Sequence, residues 1–258
     1  MTTAMLSIKN LSKSFGGLAA VDSVTFEVNE GEIVGLIGPN GAGKTTTFNL
    51  IAGAISPSNG EIVYRGKAVA GLPEHRLAEM GIIRTFQITS VFSKLTVLEN
   101  VVCGAHRTYR VNFWHSFVAW AKYRDNEDAL ARSAHELLRE LNLDHLADVI
   151  ADELSYGDLR KLEIAIALSA KPTLLLLDEP AAGLIPEERA KLVALLGKIR
   201  SLGTTILLVE HSMQVVMSAC DRIVVLNTGK KIAEGSPTEI AATDAVVEVY
   251  LGKEYKRA

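Results

Sequence analysis

The amino-acid sequence predicts an α/β fold, and three observations carry that prediction. Short apolar runs of strand length, Glu32–Ile37, Leu174–Leu177 and Thr204–Val209, recur along the chain and read as buried strands. Helical runs follow the first two: Thr46–Gly53, which ends at a glycine, and a run that Pro186 opens and that stops near Gly203. The chain has 258 residues, 48% hydrophobic and 22% charged, an ordinary globular balance that suffices for one large α/β domain or two small ones.

Between the first strand and its helix stands Gly38-Pro39-Asn40-Gly41-Ala42-Gly43-Lys44-Thr45-Thr46. It fits G-x-x-x-x-G-K-[ST], the phosphate-binding loop, in the strand–loop–helix context that motif needs. Glycines let backbone N–H groups turn onto phosphate oxygens with no Cβ in the way. The helix N-terminus adds partial positive charge. Lys44 can reach β- and γ-phosphates, and the Thr45 hydroxyl can ligand Mg²⁺.

The totals narrow the function. A net charge of −3 gives no sign of general nucleic-acid binding. Cys103 and Cys220 have no metal-site spacing, and two thiols suit a reducing compartment. The N-terminus has no apolar run of signal-peptide length. No segment approaches the roughly 20 apolar residues that span a bilayer. The expectation is a cytosolic protein whose membrane attachment runs through a partner.

In chain order, Met5–Lys9, Val21–Val28 and Ile33–Ile37 are strand-like, with turns at Gly16-Gly17 and Asn29-Glu30-Gly31. Phe15, in the first turn, is either a ring that stacks on a nucleotide base or a loop aromatic covering core. Glu61–Tyr64 and Lys67–Val69 read as a hairpin across Arg65-Gly66, and Pro73 as the first residue of a short helix. Ile82–Phe86 is a further strand ending on Gln87, a place where α/β proteins put ligand contacts. Thr96-Val97-Leu98-Glu99 has capping-box spacing and starts a helix. Of the chain's fifteen aromatic residues, Tyr109, Phe113, Trp114, Phe117, Trp120 and Tyr123 lie within 107–124, flanked by Arg107, Arg110, Lys122 and Arg124. That stretch is either a helix packing on its own domain or a contact with a membrane-embedded partner. Leu130, Ala134, Leu137, Leu138 and Leu141 form one apolar helix face.

Leu154-Ser155-Tyr156-Gly157-Asp158 leads into the helical run Leu159–Ser169, with Ser155 placed as N-cap. Such a start holds an anion or is simply a capped helix. Thr173–Pro180 is more informative. Two adjacent carboxylates, Asp178 and Glu179, close a strand of four leucines and are costly to bury without a cation. Beside a phosphate loop, the economical reading is Mg²⁺ on Asp178 and a water polarised by Glu179. The strand Thr204–Val209 ends at Glu210-His211, which puts His211 at a strand end like the two earlier sites. Arg222–Leu226 and Lys230–Ala233 form a hairpin over Asn227-Thr228-Gly229, and two short helices close the chain.

Physics alone gives an Mg²⁺-dependent P-loop nucleotidase. In the order of its sites the chain resembles the ATP-binding subunits of ABC transporters over nearly its whole length. Gly38–Thr46 matches Walker A, Gln87 the Q-loop, Leu154–Asp158 the signature loop, and Leu174–Glu179 Walker B with its glutamate. Ala181–Ile185 falls at the D-loop, His211 at the switch histidine and Phe15 at the adenine-stacking aromatic. Finer strings are similar to the branched-chain amino acid importer group: Gly81–Gln87, Leu95–Asn100, Glu179–Leu184 and Val249–Gly252. The aromatic insert resembles the longer of that group's two ATPase subunits. The wider group also serves amides, urea and related solutes. Soluble ABC proteins of translation or DNA repair join two such domains or insert a long coiled coil, and neither feature is here. Two departures stand out: Tyr156 and Asp158 replace the usual Gly and Gln of the signature, and Ile185 replaces the usual Asp of the D-loop. A carboxylate at 158 would repel a nearby γ-phosphate unless it points away.

The resemblance implies a RecA-like P-loop ATPase core with an N-terminal antiparallel β subdomain and an inserted α-helical subdomain. About 1–87 and 170–235 would form the core with its β subdomain, about 88–169 the helical insert, and about 236–258 C-terminal helices. It implies two ATPase subunits, identical or different, that sandwich ATP and Mg²⁺ head to tail beside permease subunits on the cytoplasmic face of the membrane, with no nucleic-acid partner. Glu179 would be the general base, with His211 and Gln87 placing water and metal. Thr45, Gln87 and Asp178 would hold Mg²⁺. Gly38, Pro39, Asn40, Gly41, Ala42, Gly43, Lys44, Thr45 and Thr46 would grip the phosphates, Phe15 the adenine, and Ser155 and Gly157 the γ-phosphate of the opposite subunit.

Overall fold

The structure is a computed structural model that describes residues 4–85, 91–106 and 120–251. Gln87 and the aromatic stretch up to residue 119 lie outside the described residues, so their assigned roles rest on sequence. The chain divides into two compact units, residues 1–82 with 173–258, and Ile83–Pro172.

The strands form two sheets. β1 (Ala4–Phe15), β2 (Leu18–Asn29), β4 (Asn59–Tyr64) and β5 (Lys67–Ala68) make a four-stranded antiparallel sheet in the order β2-β1-β4-β5. β3 (Ile33–Ile37), β6 (Ile82–Arg84), β7 (Leu174–Asp178), β8 (Thr205–Val209), β9 (Arg222–Asn227) and β10 (Lys230–Gly235) form the second, in the order β10-β9-β3-β8-β7-β6. Within it β9, β3, β8 and β7 run parallel to one another, and β10 returns antiparallel on β9.

The central strands are buried on both faces, as their unbroken apolar runs require. Val34, Leu36, Leu174, Leu176, Leu207, Val209, Val224 and Leu226 join one core with β1, β2, β4 and the helix α1 (Lys44–Ile51). The alternate residues, Ile33, Ile37, Leu175, Leu177, Ile206, Leu208, Ile223 and Val225, are equally buried and belong to the opposite face. There, a Cβ on Gly35 would meet the Cys220 sulfur at 2.8 Å, so β3 needs a glycine where that thiol, just after the helix at Met213–Ala219, packs against it. Burial drives the Cys220 thiol up to about 12, which leaves it protonated and inert.

The short helix α2 (Glu74–Glu79) begins one residue later than the sequence suggests: Pro73 is its extended N-cap, with ψ 154°. Beyond it, Thr173 Oγ1 donates to the Gly81 carbonyl at 3.2 Å and accepts from the Tyr64 hydroxyl. This pins the four-stranded sheet to the start of β7.

The second unit is helical. α3 (Val97–His106), α4 (Trp120–Glu140) and α5 (Tyr156–Ser169) pack with α3 between the other two, and a turn at Asp144–Leu146 links α4 to α5. Thr96 and Glu99 close the capping box on α3, with the Thr96 N–H donating to Glu99 at 2.7 Å and the Glu99 N–H to Thr96 at 3.2 Å. Leu130, Ala134, Leu138 and Leu141 are buried, and Leu137 is half-buried on the same face.

In the first unit, α6 (Pro186–Ser201) follows β7, α7 (Met213–Ala219) follows β8, and α8 (Pro237–Ala241) and α9 (Asp244–Leu251) end the described chain.

Tyr64→Phe tests the polar bridge at Thr173. The ring stays and one buried hydrogen bond goes, so urea unfolding should show a loss of about 1 kcal/mol. A change near zero would mean the bridge contributes nothing net.

Candidate functional site

Register assembles the site. Leu36 of β3 and Asp178 of β7 both pair with Val209 of β8, so three parallel strands end on one level. The glycine loop, Glu179 and His211 are each within two residues of that row, at the carboxyl edge where α/β sheets bind ligands.

The loop after β3 surrounds its own lysine. Lys44 is a buried residue whose ammonium reaches the cleft and donates to the carbonyls of Gly38 at 2.8 Å and Pro39 at 2.9 Å. Burial lowers its pKa, and the carboxylate of Glu179 partly opposes that. Gly38 is tightly enclosed: at φ 152°, a Cβ there would lie 2.2 Å from the Leu226 carbonyl oxygen of β9. At Gly41, also at positive φ (78°), a Cβ would meet nothing within 4 Å.

Opposite the lysine, Glu179 begins the turn after β7. It adopts a left-handed backbone, φ 49°, that costs a non-glycine residue about 1 kcal/mol. Its N–H donates to the Val209 carbonyl at 2.8 Å, and its Oε1 is 2.7 Å from His211 Nε2. These groups share one cleft of about 570 Å³, walled by Leu18, Ala19 and Ala20 of β2, the loop from Asn40 to Thr46, Glu179, His211, Thr228 and Gly229. Thr45 and Thr46 face it, and Asp178 is half-buried at the tip of β7.

Phe15 is the last residue of β1 rather than a turn residue, 51% exposed, with the Lys13 ammonium 5.2 Å above its ring. Leu18, 70% exposed, is among the residues that line the cleft, and Phe15 is not.

The second unit holds Ser155 and Gly157 at the start of α5, which begins at Tyr156, directly after the N-cap residue the sequence indicates. Ser155 is its N-cap: Oγ accepts from the Asp158 N–H at 3.2 Å and donates to the Asp158 carboxylate at 2.7 Å. Lys161 takes the other Asp158 oxygen at 2.7 Å. With Lys161 and Ser155 bonded to it, the Asp158 carboxyl lies below the usual range despite partial burial. The unusual carboxylate is thus paired rather than bare. Tyr156 carries Arg160 across its ring at 5.2 Å, and Arg160 also donates to the Tyr156 hydroxyl at 2.8 Å.

One residue escaped the sequence reading. Glu210, 3% exposed, accepts the Ala181 N–H at 2.6 Å, the His211 N–H at 2.8 Å and the Ser212 N–H at 2.9 Å. The desolvation argument that singles out Asp178 and Glu179 applies equally to a carboxylate directly after a buried strand.

A glycine loop holding a lysine, facing a Glu–His pair at the ends of parallel strands, defines a P-loop nucleotide-binding protein. The family model described as ABC transporter matches residues 21–182, and the chain belongs to that family. It is 42% identical to the high-affinity branched-chain amino acid transport ATP-binding protein BraF of Pseudomonas aeruginosa, over 98% of this chain and 100% of the relative. Among solved structures it is similar to the ADP conformation of the ABC transporter cassette MJ1267, at a TM-score of 0.86 and 32% identity, covering 98% of this chain and 100% of that one. The dimeric bacterial cassette MJ0796 matches with a TM-score of 0.74 and 27% identity over 90% and 99%.

Two glycine substitutions probe the loop. Gly38→Ala must push the loop off β9, and ATP affinity measured by calorimetry should fall more than about tenfold. Gly41→Ala adds only left-handed strain of roughly 1 kcal/mol and should fall less. Equal effects would show that close packing on Leu226 does not shape the loop.

Proposed function

We propose that this chain is the ATP-binding, ATP-hydrolysing subunit of an ABC importer for branched-chain or related amino acids. The single observation that carries hydrolysis is the Glu179–His211 contact at 2.7 Å in the cleft that the glycine loop and Lys44 share. The solute class rests on the likeness to BraF across 98% of the chain. Among the described residues no helix is long and apolar enough to cross a membrane, which fits a subunit that docks on permease partners at the cytoplasmic face.

In this reading the loop N–H groups and the Lys44 ammonium take the β- and γ-phosphate oxygens. Lys44 would exchange its two carbonyl partners for phosphate, which restores a full counter-charge to a desolvated ammonium. Glu179 accepts a proton from the attacking water, and His211 orients the carboxylate and the water. The left-handed turn at Glu179 aims the carboxylate back over the cleft. The donor set fits Mg²⁺: the Thr45 hydroxyl and the Asp178 carboxylate are hard oxygen ligands, and Gln87 would add a third. When bound, the ion neutralises charge on the phosphate oxygens.

The dimeric cassette MJ0796 supports a pair of subunits; arranged head to tail, Ser155 and Gly157 would cap the γ-phosphate held by the second subunit. The Ser155 hydroxyl donates to Asp158 in the single chain, so the γ-phosphate would take that donor over while Lys161 continues to hold Asp158. Closure of the pair by ATP would then move the helical unit against the permease, driven by the nucleotide's higher affinity for the closed state.

Glu179→Gln should keep ATP binding and lose hydrolysis by about 100-fold or more, read as phosphate release. A near-normal rate would remove Glu179 from the base role. Lys44→Ala should weaken ATP binding about 10- to 100-fold in calorimetry, the loss of a charge-assisted contact. Unchanged affinity would count against the loop as the phosphate site.

A further inference from the structure

We propose that Glu210 is a positioning residue that sets the Glu179–His211 geometry. The proposal rests on the hydrolytic reading above and deepens it. Glu210 does not line the cleft and reaches no reacting atom; it acts on the two segments that do.

Its carboxylate spans two loops. Oε1 accepts from Ala181, two residues beyond Glu179, and Oε2 accepts from His211 and Ser212 in the turn after β8. A carboxylate offers acceptors only, and these three donors are all backbone N–H groups. The turn after β7 is otherwise tied to β8 upstream, by the Glu179 N–H on the Val209 carbonyl at 2.8 Å. Glu210 supplies the second tie, downstream. One tie at the left-handed residue's own N–H and a second two residues on hold the backbone from which its side chain projects. The same carboxylate holds the His211 N–H, so the pair that meets at 2.7 Å hangs from one buried anchor. At 3% exposure the anchor competes little with water, which makes the tie stiff.

The chemistry separates Glu from Gln at this position. Glutamine has nearly the same shape but one oxygen and one NH₂. Three N–H donors arrive on two sides, so glutamine must turn its NH₂ toward one of them. Either the Ala181 tie or the His211–Ser212 tie becomes a donor–donor clash. The fold keeps its apolar contacts while the bracket opens on one side.

The test uses the full chain with Mg²⁺ and ATP. In Glu210→Gln, kcat should fall roughly 10- to 100-fold, the usual consequence of displacing a catalytic group by about 1 Å, while KM for ATP and calorimetric ATP affinity stay within about twofold. Glu210→Asp, which keeps two acceptor oxygens, should recover part of the lost kcat. The double variant Glu179→Gln/Glu210→Gln should hydrolyse no more slowly than Glu179→Gln alone, because Glu210 acts through Glu179. An unchanged kcat in Glu210→Gln overturns the proposal, as does a loss shared equally by ATP affinity or a further loss in the double variant. Should Glu210→Gln fail to accumulate as folded protein, Glu210→Asp against the wild type carries the same kcat-against-KM comparison. Failure of the wild-type chain to hydrolyse ATP would instead defeat the hydrolytic reading itself, whatever Glu210 does.

Discussion

The register of three parallel strands is the constraint on which everything else depends. Leu36, Val209 and Asp178 share one row across β3, β8 and β7. Each strand is apolar and buried on both faces, so a slip by one residue would leave the row uneven and turn every side chain to the wrong face. The chemistry-bearing residues occupy the positions immediately beyond that row. The sheet therefore fixes where the glycine loop, the acidic tip and the histidine begin, and short turns do the rest.

Around that edge the protein places groups in unfavourable states that the sheet holds in position. The Lys44 ammonium is partly desolvated and, among the described residues, donates to two neutral carbonyls. Glu179 sits in a left-handed backbone. A buried carboxylate, Glu210, is satisfied among the described residues by three main-chain donors. Each is costly in an isolated turn, and each makes sense as preparation for a polyanion and a water. The signature segment follows the same logic with opposite sign, since Asp158 arrives already ion-paired with Lys161 and hydrogen-bonded by Ser155.

Much of this is written locally in the sequence. The glycine loop, the leucine strand with its two acids and the capped start of α5 each depend on residues within one short window, and their chemistry is legible there. What escaped depends on distant partners. β1 and β2 run much longer than their alternation suggests. The reason is a bulge, with Asn10 and Ser23 at positive φ and a register shift between Ile8 and Leu11, which breaks the period of two where the pattern should continue. α7 carries the β-branched pair Val215 and Val216 in seven residues, too short and too poorly helical to announce itself. Glu210 looks like a polar strand end until Ala181 is brought to it from 29 positions away. The ion pairing of Asp158 was legible in principle, because Lys161 lies one helical turn on.

The central claim is that the glycine loop and the acidic tip of β7 hold a triphosphate and its metal between them. A crystal structure of the chain grown with Mg²⁺ and a non-hydrolysable ATP analogue tests it most directly. The account predicts the γ-phosphate within hydrogen-bond reach of Lys44, with the ion on Thr45 and Asp178 and Glu179 facing the position of the attacking water. Nucleotide bound elsewhere on the chain, or an ion with no bond to Thr45 or Asp178, would contradict it.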